Sequence, residues 1–282
     1  MSAAAIVQNA GALRQTVAAW RASGGRVALV PTMGALHDGH LALVREARKL
    51  ANRVVVSVFV NPAQFAPHED FARYPRDLDG DRAKLESTGA VDVLYAPAVS
   101  EMYPEGFATT ISVDGPSAGL ETDFRPHFFS GVAIVVAKLL LQCRPDFAMF
   151  GEKDYQQLLV VKRLAKDLGL GVDIVGVPIQ RETSGLALSS RNAYLTPEQR
   201  AIAAALNRIL ESVAARARSG RSIPQAEAEG AAALLTAGFD RVDYVAIRDA
   251  ETLQPMRDVV HPARVLAAAW LGKTRLIDNR AV

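Results

Sequence analysis

The sequence predicts an α/β protein: a doubly wound parallel sheet over residues 1–184, then a smaller α+β domain over residues 185–282. Three observations carry this. Strand-like and helix-like stretches alternate through the first half, the rhythm of βαβ units. The strand-like stretches are apolar on both faces, as a parallel sheet covered by helices on each side requires. Past Ser184 the texture changes to alanine-rich helical stretches followed by short strands.

The elements follow in order. Residues 26–30 form a short apolar run that stops at Pro31. Across residues 39–50, Leu41, Val44, Ala47 and Leu50 recur at helical spacing. Residues 53–60, RVVVSVFV, read as a strand buried on both faces. Residues 79–88 are a charged helix ended by Gly89, and residues 91–96 a third strand. A strongly apolar helix over 131–142 leads to a buried strand over 147–150, a helix over 155–168 closed by Gly169, and a strand over 172–179. In the second part Thr196 is an N-cap, Pro197 the first helical residue and Gln199 the third; the helix they start runs to about residue 217. Residues 219–222 link it to a second helix ending near 237, and strands follow over 241–247, 264–270 and 275–278.

The 282 residues suit two domains. Half are hydrophobic and 22% are charged, which excludes a disordered chain; the length allows a core that needs neither disulfide nor structural metal. A formal net charge of +2 leaves no electrostatic footprint for nucleic acid or anionic lipid. The basic run at 216–221, RARSGR, has no interleaved aromatics and reads as a helix end and linker. The single cysteine, Cys143, excludes an internal disulfide and a multi-cysteine zinc site, and after its apolar run it reads as a buried, inert thiol. No apolar run reaches the ~18 residues of a membrane span, and the first residues lack a basic stretch followed by an apolar one. A soluble, cytoplasmic protein with no nucleic-acid or membrane partner is expected.

Four polar motifs stand where open α/β sheets place their sites, at the carboxyl ends of strands. The first is PTMGALHDGH, residues 31–40. It leaves a strand and opens a helix, whose free N–H groups and positive dipole end suit a phosphate. Gly34 and Gly39 would let the backbone approach a ligand closely. His37 and His40 are three apart, so both rings can face one ligand and stabilise charge on a transferring phosphoryl group. No third ligand for zinc is evident.

The second motif is FVNPAQF, residues 59–65. The amides of Asn61 and Gln64 suit a small hydroxy acid, although on these residues alone Asn-Pro turn chemistry is the better explanation of the string. The third is GEKDYQQ, residues 151–157, again between a strand and a helix. Lys153 is a point charge for phosphate oxygens and Gln157 lies one turn on; a solvated charged turn is the alternative. The fourth is LSSR, residues 188–191, whose two hydroxyls and arginine suit a triphosphate or make an ordinary polar hinge. Among the remaining residues, Arg73, Tyr74, Pro75, Arg76, Asp77, Asp79 and Asp81 form a charged segment, His68 and His261 read as loop residues without a role, and Trp20 and Trp270 as packing residues.

An H-x-G-H string after a strand and loop marks the nucleotidylyltransferase superfamily and class I aminoacyl-tRNA synthetases. The longer string PTMGALHDGH, followed in order by FVNPAQF, GEKDYQQL and GLALSSRN and near the end by AAWLGKTRLIDN, resembles the pantoate–β-alanine ligase family over nearly the whole chain. LSSR occupies the place of the lysine-containing mobile loop of tRNA synthetases, which argues against a tRNA synthetase.

The resemblance implies a Rossmann-like fold and an AMP-forming ligase that joins pantoate to β-alanine through pantoyl adenylate, with ATP and Mg²⁺. It implies ATP contacts at Met33, Gly34, Ala35, Leu36, His37, Asp38, Gly39 and His40. Further ATP contacts are implied at Gly151, Glu152, Lys153 and Asp154, and at Leu188, Ser189, Ser190 and Arg191. His40, His37, Lys153, Ser189 and Arg191 would do the catalysis; Asn61, Gln64 and Gln157 would hold pantoate, with Gln64 also meeting β-alanine. The segment after Arg73 would be a lid that brings Asp81 near the Mg²⁺, and the first domain would form a homodimer. One segment departs from the family: RPHFFSGV, residues 125–132, has its histidine one position early and Ser130 for a basic residue, so no role carries over to His127 or Ser130. Two rivals stand beside this reading. One is a nucleotidylyltransferase with a phosphorylated acceptor; the other is a nucleotide-binding module without catalysis.

Overall fold

Six parallel strands and three antiparallel ones order the chain. The computed structural model describes residues 4–67 and 69–282, so the expectation for His68 lies outside the described residues. The strands are β1 (Ala5–Val7), β2 (Val27–Thr32), β3 (Arg53–Val58), β4 (Val93–Tyr95), β5 (Phe147–Gly151), β6 (Asp173–Val177), β7 (Arg241–Asp249), β8 (Ala263–Leu271) and β9 (Thr274–Ala281). The helices are α1 (Ala10–Ala22), α2 (Asp38–Leu50), α3 (Leu78–Thr88), α4 (Val99–Met102), α5 (Glu121–Phe124), α6 (Phe128–Cys143), α7 (Tyr155–Asp167), α8 (Pro197–Ala203), α9 (Ala205–Arg218) and α10 (Ile223–Thr236).

The first sheet has the order β1-β4-β3-β2-β5-β6, with every neighbouring pair parallel. Side chains alternate along β2: Val27 and Leu29 pack with Leu13, Val136 and Leu164, while Ala28 and Val30 pack with Val44, Ala47 and Leu85. Each face of the sheet therefore meets helices, which is why its strands carry no polar face. From β2 the chain steps to β3 and β4 on one side, and later to β5 and β6 on the other. The strand order reverses between β2 and β5, the switch point whose crevice open α/β sheets use for ligands. The second sheet, β7-β8-β9, is antiparallel and buries its own core against α9 and α10 through Leu210, Val213, Leu234, Ile247 and Val265.

Several expectations shift. β1 and α1 had no prediction, because Ala5–Val7 is a three-residue edge strand and α1 is rich in alanine and polar residues. The helix expected from 196 to 217 divides into α8 and α9 at Ala204, which keeps helical dihedrals and so leaves no proline or glycine mark in the sequence. β3 stops at Val58, where Asn61 begins a turn, and β6 at Val177, because Pro178 has no N–H for the ladder. The capping box of Thr196 and Gln199 and the left-handed Gly89 stand as expected. Burial pushes the Cys143 thiol up to about 12, in keeping with an inert residue. Trp270 does more than pack: its indole N–H donates to Asp243.

Candidate active site

A cleft of about 1320 Å³ opens at the switch point and is lined by residues from all four motifs, among them His37, His40, Gln64, Lys153, Gln157 and Ser189. That is ample for a nucleotide beside a small acid.

The two histidines form the start of α2. The N–H of Gly39 donates to His37 Nδ1 at 3.1 Å, and the N–H of His37 donates to His40 Nδ1 at 3.3 Å, so each ring caps the helix through the same nitrogen. A nitrogen that accepts carries no proton, so both neutral rings hold their proton on Nε2. The rings lie 4.1 Å apart. Burial, then the neighbouring His37 and Lys153, pulls His40 down to about 3; burial and Lys153 pull His37 down to about 4. At neutral pH the pair therefore presents two uncharged Nε2–H donors.

Of the N–H groups at the start of α2, that of Asp38 has no acceptor among the described residues, and the next two are used within the chain. Gly39 N–H is taken by His37 Nδ1 and His40 N–H by His37 O. Gly39 is needed for a different reason from ligand approach: a Cβ there would stand 2.8 Å from His37 Cε1. The N–H groups of Ala35 and Leu36 are also taken, by the two oxygens of Asp81 at 2.8 and 2.7 Å. Asp81 is 2% exposed, and burial raises its pKa. It therefore holds the loop, in which Gly34 and even Ala35 adopt positive φ; this corrects the expectation that it approaches Mg²⁺. Lys84 Nζ completes the clamp on Leu36 O at 2.7 Å.

The second motif puts Gln64 into the cleft by means of Asn61. Asn61 is 1% exposed and fully used within the chain. Its Nδ2 donates to Gln64 Oε1 and Gly131 O, and its Oδ1 accepts from Ala63 N–H and from the Tyr103 hydroxyl at 2.7 Å. Asn61 is thus a holder of Gln64 rather than a substrate contact, against expectation. Gln64 Nε2 donates only to Met33 Sδ, a weak acceptor, at 3.0 Å. Gly131 packs so tightly on this turn that a Cβ would lie 2.2 Å from Ala63 O.

In the third motif Lys153 is a poorly neutralised cation: its nearest carboxylate oxygen, on Asp154, is 3.9 Å away. Gln157 lines the cleft and has no hydrogen-bond partner among the described residues, whereas its neighbour Gln156 is buried and spent on the loop at Pro116, Gly119 and Glu121. In the fourth, Ser189 caps its own turn and Ser190 Oγ donates to Ala35 O, tying this segment to the histidine loop. Arg191 forks onto Asp70, its Nε and Nη2 donating at 3.0 and 2.9 Å. Among the described residues none takes its Nη1 donors. Arg125 likewise forks onto Glu69 at 2.7 Å through both nitrogens. His127 Nε2 is buried with no partner among the described residues. Among the described residues no three His, Cys, Asp or Glu side chains gather as a metal cage. Among the described residues no helix is long and apolar enough to cross a membrane.

The parallel sheet with two polar loops meeting at its switch point defines an α/β nucleotide-binding protein of the H-x-G-H kind. The model of the family described as pantoate-beta-alanine ligase matches residues 5–281, and the chain belongs to that family. The pantothenate synthetase of Paramagnetospirillum magneticum is 59% identical over 277 residues, covering 98% of this chain and 97% of that one. That of Rhodospirillum rubrum is 57% identical over 283 residues, covering both chains fully. The crystal structure of pantothenate synthetase from Thermus thermophilus matches with a TM-score of 0.91 at 51% identity over 98% of each chain. The pantoate-beta-alanine ligase of Francisella tularensis, complexed with beta-gamma ATP and beta-alanine, matches with a TM-score of 0.83 at 34% identity over 99% of this chain and 97% of that one.

Proposed function

We propose that this cleft activates pantoate with ATP and then couples it to β-alanine. The chain is an AMP-forming ligase: pantoate, β-alanine and ATP give pantothenate, AMP and pyrophosphate. The carboxylate of pantoate attacks the α-phosphorus of ATP, pyrophosphate leaves, and pantoyl adenylate forms. The amine of β-alanine then attacks the acyl carbon and AMP departs.

The observation that carries the assignment of roles is that two Nε2–H donors, one poorly neutralised lysine and the amides of Gln64 and Gln157 all line one cleft. His40 and His37 donate to the phosphate oxygens on which charge builds as pyrophosphate leaves; Lys153, Ser189, Ser190 and Arg191 hold the triphosphate. Such preorganised donors act without reorganising during the reaction. Gln64 and Gln157 hold the hydroxy acid. Arg125 already faces the Glu69 carboxylate, which speaks against its binding a second phosphate on the acceptor and so against a nucleotidylyltransferase. With no carboxylate cage for it, Mg²⁺ enters as part of the MgATP substrate, held by the phosphates. Residues 1–184 act as the ATP- and pantoate-binding domain and residues 185–282 as its cover; a homodimer through the first domain and a cytoplasmic location complete the reading, on the strength of the family resemblance. The test is turnover with ATP and Mg²⁺. Sustained AMP release requires pantoate and β-alanine together, and AMP release that ignores either one contradicts the reading.

A further inference from the structure

The string AAWLGKTRLIDN, residues 268–279, has no part in the reaction described above, yet its end reaches both phosphate-side segments. Asp278 and Asn279 sit on β9, 3% and 2% exposed. Asp278 takes the fork of Arg181 at 2.7 and 2.9 Å, and Arg181 also donates to Gly185 O in the loop that leads to Leu188. Asn279 reaches the turn that carries Lys153: its Nδ2 donates to the carbonyls of Glu152 and Lys153, both at 2.8 Å.

Those two carbonyls have a particular relation to Lys153. The carbonyl of Glu152 lies in the peptide plane before the lysine Cα, and the carbonyl of Lys153 in the plane after it. Peptide planes are rigid, so tethering both carbonyls restricts φ and ψ at that Cα. The direction of the Cα–Cβ bond is restricted with them, and so is the region the lysine stem can sweep. A second contact braces the same turn, since Arg264 Nη2 meets Glu152 Oε2 at 3.1 Å. The ammonium itself has only the Asp154 oxygen at 3.9 Å. Lys153 is therefore aimed by its backbone and not by its tip.

We infer that Asn279 is a positioning residue, through which the second sheet orients Lys153 toward the triphosphate; this rests on the proposed role of Lys153 as an ATP contact. The Nδ2 of Asn279 is spent on those two carbonyls, so it acts through Lys153. Its effect passes through one side chain, and that makes it separable from a general contribution to folding.

Four proteins test it: the parent, Lys153→Ala, Asn279→Ala and the double variant. Each is assayed for equilibrium binding of MgATP, for binding of pantoate and for single-turnover adenylate formation. Asn279→Ala weakens MgATP binding and slows adenylate formation by about ten- to hundredfold, the range for a displaced catalytic group. Pantoate binding stays at the parent value. In the Lys153→Ala background the same change adds no more than about twofold, because its only target is gone. Asn279→Asp keeps the side-chain shape but turns oxygens toward both carbonyls, and it loses as much as Asn279→Ala. A full loss that persists in the Lys153→Ala background overturns the inference, as does parent-like ATP binding in Asn279→Ala. Unfolding of both Asn279 variants at the assay temperature also overturns it, by making the residue one of stability alone. Parent-like behaviour of Lys153→Ala by itself overturns the reading beneath it, and the inference with it.

Discussion

Gln64 is held from behind and open in front. Asn61 fixes its Oε1, while its Nε2 has only the sulfur of Met33, so one strong donor is kept for a substrate. Gln64→Ala should weaken pantoate binding about ten- to hundredfold, the range for a buried polar partner left unpaired, with ATP affinity little changed; isothermal titration of each ligand reads the difference, and an equal loss of both removes the assignment. His40 sits differently. Its Nε2–H serves oxygens whose charge grows only as pyrophosphate leaves, so His40→Ala should slow adenylate formation by about 10²–10³-fold, as loss of one preorganised donor does. Given preformed pantoyl adenylate, the variant should still make pantothenate at a substantial rate; rapid-quench measurement of the two half-reactions separates these effects, and a joint fall of both makes His40 structural. Residue types and their places after strands made His37, His40, Gln64 and Lys153 legible in the sequence. Asp81, Tyr103 and Asn279 were not, because they act on partners 45, 42 and 126 positions away. A lone aspartate in a charged helix looks solvated until the fold shows which amides it meets.

At the scale of elements, the start of α2 is a helix cap built from its own catalytic candidates. Because the folded rings titrate near 4 and 3 and free histidine near 6.5, the unfolded chain binds protons first as pH falls. Their contribution to stability is whole above about pH 6.5 and is lost progressively down to about pH 3. Urea unfolding between pH 7 and 4 should show that decline, and the His37→Gln, His40→Gln double variant should flatten it; an unchanged slope would argue against neutral, buried rings. Nitrogen NMR should find both rings as neutral Nε2–H tautomers in the free protein at pH 7. The packing of α6 on the Asn61 turn gives a second test. Gly131→Ala drives a methyl into Ala63 O and Gln64 Cα, backbone atoms that cannot step aside. A loss of about 1–3 kcal/mol, typical of overpacking, follows in urea unfolding, and pantoate use should suffer more than ATP binding. The sequence showed the helix there but not its closeness, since a glycine in an apolar helix carries no sign of what lies opposite.

At the scale of the molecule, the second sheet is joined to α5 of the first part by buried charge. Arg275 on β9 donates through Nη1 to both oxygens of Glu121 at 2.8 and 2.7 Å and through Nε to Asp243 at 2.7 Å, while the Tyr244 hydroxyl donates to Glu121 Oε1. Glu121→Ala leaves an arginine and a phenol without their acceptor and should cost about 3 kcal/mol, the lower end for breaking a buried pair, because Asp243 remains; denaturant unfolding measures it, and a loss no larger than that of a surface pair would show that the join is not buried in solution. Arg275 lies within the AAWLGKTRLIDN string, but nothing in the sequence showed its pairing with Glu121, 154 positions away. The alternation of strands and the change of texture after Ser184 did show, because they follow from local pattern. The central claim, that the carboxylate of pantoate is carried through an adenylate, has its own direct measurement. Pantoate with heavy oxygen in its carboxylate is turned over with ATP and β-alanine, and the AMP is examined by mass spectrometry. If the carboxylate attacks the α-phosphorus and the amine then attacks the acyl carbon, one labelled oxygen appears in each AMP. AMP without the label would contradict the account.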